Sequence, residues 1–145
     1  MTTISNYLAT DHKHCDQLFA ASEEMAANGD WDNAAASFQR FHDALRHHFA
    51  MEEEVMFPAF EARTGMSQGP TAVMRSEHSQ MTGLLERLSG AVARKDSNAY
   101  LGDADTLLIL MQQHNVKEEQ MLYRMADQAL GNETDAVVGR MRALA

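Results

Sequence analysis

The sequence predicts an all-α protein, an up-down-up-down antiparallel four-helix bundle with a short C-terminal tail helix. Strong helix formers are plentiful, and only two prolines and eight glycines occur in 145 residues. Long helical stretches are separated by links of only a few residues, which places consecutive helices antiparallel. At this length the chain is predicted to form a single domain, residues 1–145.

Each predicted helix begins and ends at a capping residue, a glycine or a proline. The four long helices are predicted from about 5 to 27, from an Asp30 cap to about 63, from 70 to about 93, and from a cap at Asp96 or Ser97 to about 129, with the tail helix over roughly 133–143. Pro58 lies inside the second helix, so a kink near Glu54 is predicted.

Charge and composition exclude several classes of function. The formal net charge of −9 disfavours a nucleic-acid backbone or an anionic membrane surface as partner. No apolar run approaches the roughly 20 residues of a membrane span, and no secretion signal is visible. The single Cys15 cannot form an internal disulfide, which suits a cytoplasmic location. Eleven methionines are interpreted as core filling, and the expected state is a monomer or a homodimer.

An internal repeat with an offset of 66 residues is the most informative pattern. In each half, a histidine preceded by an acid is followed 36 residues later by His-x-x-x-Glu-Glu. The halves carry Asp11-His12 and Glu77-His78, followed by HFAMEEEVMF and HNVKEEQMLY. Each half is therefore predicted to be a helical hairpin, and the two hairpins are related by an approximate two-fold axis.

The spacing of the repeated residues predicts a buried metal site. His48 and Glu52 lie four residues apart and share one helix face, as do His114 and Glu118. With one histidine from each of the other two long helices, they would meet on the bundle axis, where burying them without a partner is costly. A metal centre removes most of that cost. The six candidate metal ligands are His12, His48, Glu52, His78, His114 and Glu118.

The number and type of these donors favour a two-metal centre. Six ligands are too many for one tetrahedral zinc ion, and no thiolate cluster is present. Imidazole with carboxylate inside a helix bundle is typical of paired iron or manganese. If each metal takes two histidines and both glutamates bridge, a shared oxo or hydroxo bridge and one exogenous ligand complete each octahedron.

The pattern DH…HxxxEE…EH…HxxxEE, with Phe-Pro after the first acidic run, resembles a hemerythrin-like (HHE cation-binding) domain of the bacterial single-domain type. The resemblance covers about Asp11 to Ala126. It implies a non-haem centre of two Fe ions, bridged by carboxylates and an oxo or hydroxo group. Proteins of this family include oxygen carriers, oxygen or iron sensors, and bacterial proteins that repair nitrosatively damaged iron centres.

The chain departs from the oxygen-carrier pattern at two places. Carriers have a further histidine four residues before the third-helix histidine, where this chain has Met74. Carriers also tend to end with HxxxxD, whereas this chain has HxxxE at His114 and Glu118, with Glu119 as the alternative bridging residue. The resemblance is therefore closer to the repair and iron-sensing branches.

Neighbouring residues receive more ordinary interpretations. Glu53, Glu54 and Glu119 are predicted to point outward or to contact the ligands. His42 and His47 are predicted to lie at the surface or to contact the ligands, and His14 to lie at the surface. Asp11 and Glu77 are predicted at the helix surface, with a contact to an imidazole of another helix as the alternative. Phe57 and Tyr123 are predicted in the core, where Tyr123 is able to donate a hydrogen bond. Cys15 is also predicted in the core, with a reactive thiol as the less favoured alternative. Trp31 is predicted to cover one end of the bundle.

The leading functional prediction is a cytoplasmic di-iron protein that binds O2 or NO for storage, sensing or scavenging. The first alternative is a di-iron enzyme or iron donor in peroxide or NO detoxification or iron-centre repair, which requires an electron donor or an iron-centre protein as partner. The second is a helical interaction module with a structural metal. A binding protein is favoured over a turnover enzyme, because nothing marks a flavin, haem or iron–sulfur partner site.

Overall fold

The computed structural model describes residues 2–144, so Met1 and Ala145, the ends of the predicted domain, lie outside the described residues. Within that range the chain forms five continuous helical segments and no strand, which confirms the all-α class. The α-helices are α1 Ile4–Ala27, α2 Trp31–Met51, α3 Phe57–Thr64, α4 Pro70–Arg94, α5 Ser97–Lys117, α6 Tyr123–Ala129 and α7 Thr134–Ala143. The π-helix π1 (Glu52–Met56) joins α2 to α3, π2 (Glu118–Leu122) joins α5 to α6, and a 3-10 helix, Gly131–Glu133, precedes α7.

Two of the capping signals in the sequence act as predicted, and a third does not. The Asp96 carboxylate accepts a hydrogen bond from the Ala99 amide and so caps α5. Asp30 precedes α2 but makes no such bond to the backbone, because its carboxylate accepts from the Asn33 side chain instead. Gly65 follows α3 with φ of 74°, a left-handed conformation that favours glycine.

The two π-helices were not predicted. The structure places π1 where a proline kink was expected, around Glu54. Pro58 has no N–H to donate to the Glu54 carbonyl, so the wider π-helix suits it. The proline is nevertheless not the general cause, because π2 forms 66 residues later with Arg124 at the equivalent position. The π-helix is therefore a property of the repeat, and each one begins at a candidate ligand, Glu52 or Glu118.

The helices pack in a closed order that brings the candidate ligands together. Helix α1 packs against α2 and α5, and α4 packs against α5 and α2. The tail helix α7 packs on α1 and π1, where it buries Val137, Val138 and Met141.

Two apolar clusters lie on either side of a buried polar layer. One contains Leu8, Met51, Met74 and Leu122 with the residues of α7, and the other contains Cys15, Leu45, Met81 and Met111. Each candidate histidine lies between a residue of one cluster and a residue of the other along its own helical segment. The polar layer therefore crosses the whole helix assembly at one level.

The hydropathy of the helices gives one further finding. Within residues 2–144, none of them combines the length and the apolar character needed to cross a bilayer.

Candidate metal centre

The structure brings all six candidate ligands together in the buried polar layer. The histidines come from α1, α2, α4 and α5, and the two glutamates are the first residues of π1 and π2. Glu52 and Glu118 are fully buried, and none of the four histidines is more than 4% exposed. Buried carboxylates and imidazoles at this density require partners of opposite charge.

The inner nitrogen of each histidine, Nε2, faces one of the two carboxylates. Nε2 of His12 and Nε2 of His114 each lie 3.1 Å from Oε1 of Glu118. Nε2 of His48 and Nε2 of His78 lie 3.3 and 3.2 Å from Oε1 of Glu52. The histidines from both hairpins therefore converge on two carboxylates, as the repeat predicted.

Two groups of donor atoms are close enough to hold a cation each. Within each group the donor atoms lie within 4.8 Å of one another. The groups are Glu52, His78, His114 and Glu118, and His12, His48 and Glu118. Glu118 belongs to both, so a carboxylate would bridge two cations. Oε1 of Glu52 lies near Nε2 of both His48 and His78, and the contribution of Glu52 to both metals stays a prediction.

Four buried polar atoms without hydrogen-bond partners indicate whether the layer suits a cation. Oε1 of Glu52, Oε2 of Glu118, and the Nε2 atoms of His78 and His114 have no hydrogen-bond partner. The nitrogen of His78 is only 3.2 Å from the Glu52 oxygen, yet the pair lacks hydrogen-bond geometry. Each orphaned buried polar group costs about 1–3 kcal/mol. A cation that accepts these lone pairs removes the cost, so the residues fit a metal.

The outer nitrogen of each histidine, Nδ1, donates to a carboxylate from another helical segment. The distances run from 2.6 to 2.8 Å. The four pairs are His12 with Glu119, His48 with Asp11, His78 with Glu53, and His114 with Glu77. When the imidazole is neutral and its proton is on Nδ1, the lone pair of Nε2 is directed inward, as a metal ligand requires.

These contacts correct one prediction and confirm its alternative. Asp11 and Glu77 were predicted at the helix surface, but each holds the imidazole of a neighbouring helix. A helix rotates by about 100° per residue, so an acid next to a ligand histidine faces a different helix from that histidine. Glu53 and Glu119 contact the ligands, one of the two placements predicted for them.

The electrostatics of the layer follow from burial and close charges. Burial opposes protonation of His48, but the nearby carboxylates outweigh it and raise its pKa to about 10. The same balance raises the pKa of His78 to about 9. Burial opposes ionisation of Glu52, yet His48 and its other hydrogen-bond partners hold its pKa well below the usual range. In the metal-free protein, the close contact of these groups therefore favours protonated His48 and His78 together with an ionised Glu52.

Tyr123 adds a hydroxyl to the layer, as the sequence had allowed. Its oxygen lies 2.8 Å from Oε2 of Glu52, 3.0 Å from Oε1 of Glu118, and 3.1 and 3.4 Å from Nε2 of His12 and His48. Burial and the two carboxylates raise the pKa of Tyr123, so the phenol stays protonated and donates. Its repeat mate Phe57 has no hydroxyl, so only one side of the layer carries this donor.

Aromatic packing on His78 was not predicted. The Phe49 ring stacks on this imidazole with centroids 4.0 Å apart, and the Phe57 ring stacks at 5.7 Å. Met74 lies in the apolar cluster next to this side of the layer and is 3% exposed. The buried Met74 thioether therefore occupies the position at which oxygen carriers have a histidine.

The other residues considered in the sequence analysis lie outside the group of six candidate ligands. His14 is exposed, and His47 Nε2 lies 3.2 Å from the Leu144 carbonyl. Trp31 is half-buried and packs edge-on against Tyr100. Cys15 is buried in an apolar cluster, and burial raises the pKa of its thiol. The core interpretation of Cys15 is therefore favoured over a reactive thiol.

Comparisons with known proteins agree with this geometry at the level of the family. Searches of curated proteins and of solved structures gave no significant match. The family model for the hemerythrin HHE cation-binding domain matches residues 3–126, which include the whole buried polar layer and exclude α7. Because this match covers most of the chain, the protein belongs to the hemerythrin HHE cation-binding family.

Proposed function

We propose that this protein binds two iron ions in the buried polar layer and uses them to bind O2 or NO for storage, sensing or scavenging. The observation that carries the proposal is the pair of donor groups sharing Glu118, with four buried atoms that lack any hydrogen-bond partner.

We also propose that the four long helical segments form the up-down-up-down antiparallel bundle. The closed packing order of α1, α2, α4 and α5 supports it.

The two ions would be held by different sets of side chains. His78, His114, Glu52 and Glu118 would hold one, and His12, His48 and Glu118 the other. A bound iron pair supplies redox-active coordination of small diatomic molecules. The chain itself orients the imidazoles through the outer carboxylates, and it excludes water by enclosing the layer between two apolar clusters.

The two positions would not be equivalent for a small ligand. The position between His12 and His48 lies next to the Tyr123 hydroxyl, for which the other position has no counterpart. A protonated phenol there is able to turn the hydrogen bond that it donates to Glu52 toward an incoming ligand with lone pairs. We therefore place the small ligand on this side of the layer.

Tyr123 also favours a second candidate function. A buried O–H group beside the ligand position fits reductive chemistry on peroxide or NO, which consumes protons as well as electrons. Such turnover needs an external electron donor. Turnover of peroxide or NO by the purified protein with a chemical reductant would favour this enzyme over a binding protein.

Metal stoichiometry tests the proposal most directly. Anaerobic Fe(II) titration of the metal-free protein, with elemental analysis after gel filtration, should give about two irons per chain. Glu118→Ala should lose both ions because both donor groups share this residue, whereas His12→Ala should retain the ion held by His78 and His114. His14→Ala is the matched control, since this exposed histidine lies two residues from His12 and should leave the stoichiometry at two.

Two results would contradict the proposal in different ways. A wild-type protein that takes up no Fe(II) would remove the di-iron site altogether. A protein that binds two irons but whose absorption spectrum does not respond to O2 or NO would retain the metal and lose the ligand-binding function. That second result would favour a helical interaction module with a structural metal.

A further inference from the structure

A groove of about 610 Å³ lies between α1 and α5 and reaches π2. Its floor is apolar, formed by Phe19, Leu108 and Val116. Carboxylates surround the floor, and no lysine, arginine or histidine belongs to its lining in the described chain. The three acids are Asp16, Glu23 and Glu119. The groove therefore combines exposed apolar surface with concentrated negative charge.

The acids at the rim lack basic partners within residues 2–144. Asp16 and Glu23 form no ion pair there, and Glu119 is bonded only to the imidazole of His12. Burial raises the pKa of Asp16; the charge of His12 opposes this shift, and the smaller repulsion from Glu119 adds to it. Burial and Asp105 raise the pKa of Glu23. A cation brought to this rim would therefore relieve repulsion among its acids.

The internal repeat provides a comparison within the same chain. The face formed by α4 and α2 is related to this groove by the 66-residue offset. There, Arg46 occupies the position of Gln112, His42 that of Leu108, and Ala50 that of Val116. The face of α4 and α2 thus carries an arginine of its own, and it has an alanine where the groove has the larger side chain of Val116. The face of α4 and α2 has the same helix packing and borders the same polar layer without an apolar floor and a rim free of cations. These two features of the α1–α5 groove are therefore not required by the packing or by the layer.

The dimensions indicate the shape of the occupant. Along α5 and into π2 the lining extends from Leu108 to Gln120, about 18 Å at ~1.5 Å per residue. Beside it, Ile109 and Val116 are 56% and 51% exposed, and their seven-residue spacing places them on one face of α5. An elongated apolar strip with acids along it matches a helix of about three turns with an apolar face and basic edges.

We propose that the groove between α1 and α5 binds a basic amphipathic helix of another protein, which places that partner directly beside the metal layer. A second copy of this chain is a poor occupant, because its net charge of −9 would bring like charges to the rim. Lysine or arginine side chains would pair with Asp16 and Glu23, and apolar side chains would cover Val116 and Leu108.

Glu119 connects this surface to the proposed iron site, and this step rests on the proposed function. The Glu119 side chain is 43% exposed in the groove, while its Oε2 accepts the hydrogen bond from Nδ1 of His12 at 2.7 Å. A partner cation that pairs with Glu119 would weaken its bond to His12 and so change the donor strength of that imidazole. Docking should therefore alter the spectrum of an iron held by His12.

The docking experiment uses the full-length protein as purified and a synthetic peptide probe. The probe is a 16-residue helical peptide with leucines on one face and lysines along both edges, and a scrambled peptide of the same composition is the comparison. Calorimetry should show binding of the first peptide, and the chemical shifts that change should belong to amides of α1 and α5. Equal binding of both peptides, or changes confined to another face, would overturn the proposal.

Matched variants test the charge and apolar contributions separately. The double substitution Asp16→Asn with Glu23→Gln should weaken binding about fivefold or more at low salt. Asp32→Asn with Asp135→Asn changes the net charge equally on exposed residues elsewhere and should stay within about twofold. If both double variants lose affinity equally, the attraction is non-specific and the groove is not the site.

The apolar test uses two exposed valines. Val116→Ser should weaken peptide binding, whereas Val73→Ser on α4, where the side chain is 48% exposed, should not. Iron is needed only for the last measurement, the change in the iron absorption spectrum on peptide addition. Docking without that change would overturn the connection through Glu119. Protein that binds the peptide but no iron would contradict the proposed function and leave the docking surface intact.

Discussion

The Tyr123 hydroxyl donates a hydrogen bond of 2.8 Å to Oε2 of Glu52 and so joins the two repeated hairpins at the centre of the protein. The bond has no symmetric counterpart, because the residue equivalent to Tyr123 is Phe57. An otherwise two-fold arrangement of histidines and carboxylates thus acquires one polar side. The phenol contacts the His12 and His48 side of the layer.

Tyr123→Phe tests this asymmetry. The substitution removes the hydroxyl and leaves all six candidate ligands, so about two metal ions per chain should still bind. Loss of a donor to two buried carboxylates should destabilise the metal-free protein by about 1–3 kcal/mol. In the iron-loaded protein we expect weaker binding of O2 or NO, measured by optical titration.

Tyr100→Phe is the matched control for that experiment. Tyr100 is another buried tyrosine, and its hydroxyl donates to Ser22 at 2.9 Å, away from the layer. Its replacement should lower the free energy of unfolding without changing ligand affinity. Equal effects of both substitutions on ligand affinity would show that Tyr123 acts only through general stability.

Glu53→Gln tests the role of the outer carboxylates. Oε2 of Glu53 accepts from Nδ1 of His78 at 2.6 Å, and a glutamine there no longer provides the negative charge that strengthens the imidazole as a donor. Metal affinity should fall about 10–100-fold, measured by competition with a chelator. Glu54→Gln, on the exposed neighbour in the same π-helix, should leave the affinity unchanged. If the two variants bind metal alike, the outer carboxylate has no effect on the site.

The sequence predicted the helices and the six clustered residues well, because both depend on local spacing. Four-residue spacing fixes which side chains share a helix face, and the repeat shows which helices must meet. For this reason His48 and Glu52, or His114 and Glu118, were identified together. The family resemblance added to this reading and was confirmed independently over residues 3–126.

What the sequence did not predict depends on contacts between helices. Asp11 accepts a hydrogen bond from His48, and Glu77 accepts one from His114. Both bonds depend on how α1 and α4 are rotated against their neighbours, which the periodicity along one helix does not specify. The repeat did contain a signal, since an acid precedes the first histidine in both halves. Phe49 against His78 had no comparable signal.

Pro58→Ala tests whether the proline or the repeat determines the π-helix. The equivalent residue after π2 is Arg124 in α6, and π2 has the same five-residue length, so π1 should persist without the proline. The variant should bind about two metal ions per chain with unchanged affinity, and its structure should retain the bond from the Phe57 amide to the Glu52 carbonyl. A regular α-helix through residues 52–56, accompanied by loss of metal, would instead assign the π-helix to Pro58.

The stability of the metal-free protein should fall as pH rises. In the folded layer the pKa of His48 is raised to about 10 and that of His78 to about 9, against 6.5 for an ordinary histidine. A folded-state pKa above the unfolded one stabilises the protein fully below about pH 6.5, and this contribution is lost as pH rises through 9 and 10. At roughly 1.4 kcal/mol per pKa unit, the loss between pH 6.5 and pH 9 should exceed about 2 kcal/mol.

Urea unfolding of chelator-treated and metal-loaded protein at pH 6.5 and pH 9 measures this dependence. A bound metal takes the place of the protons on the inner imidazole nitrogens, so the loaded protein should lose much less stability over the same interval. His14→Ala should keep the wild-type dependence, because this histidine is exposed on α1. Metal-free protein whose stability stays constant or rises toward pH 9 would show that the histidines of the layer are not held protonated by Glu52 and its neighbours.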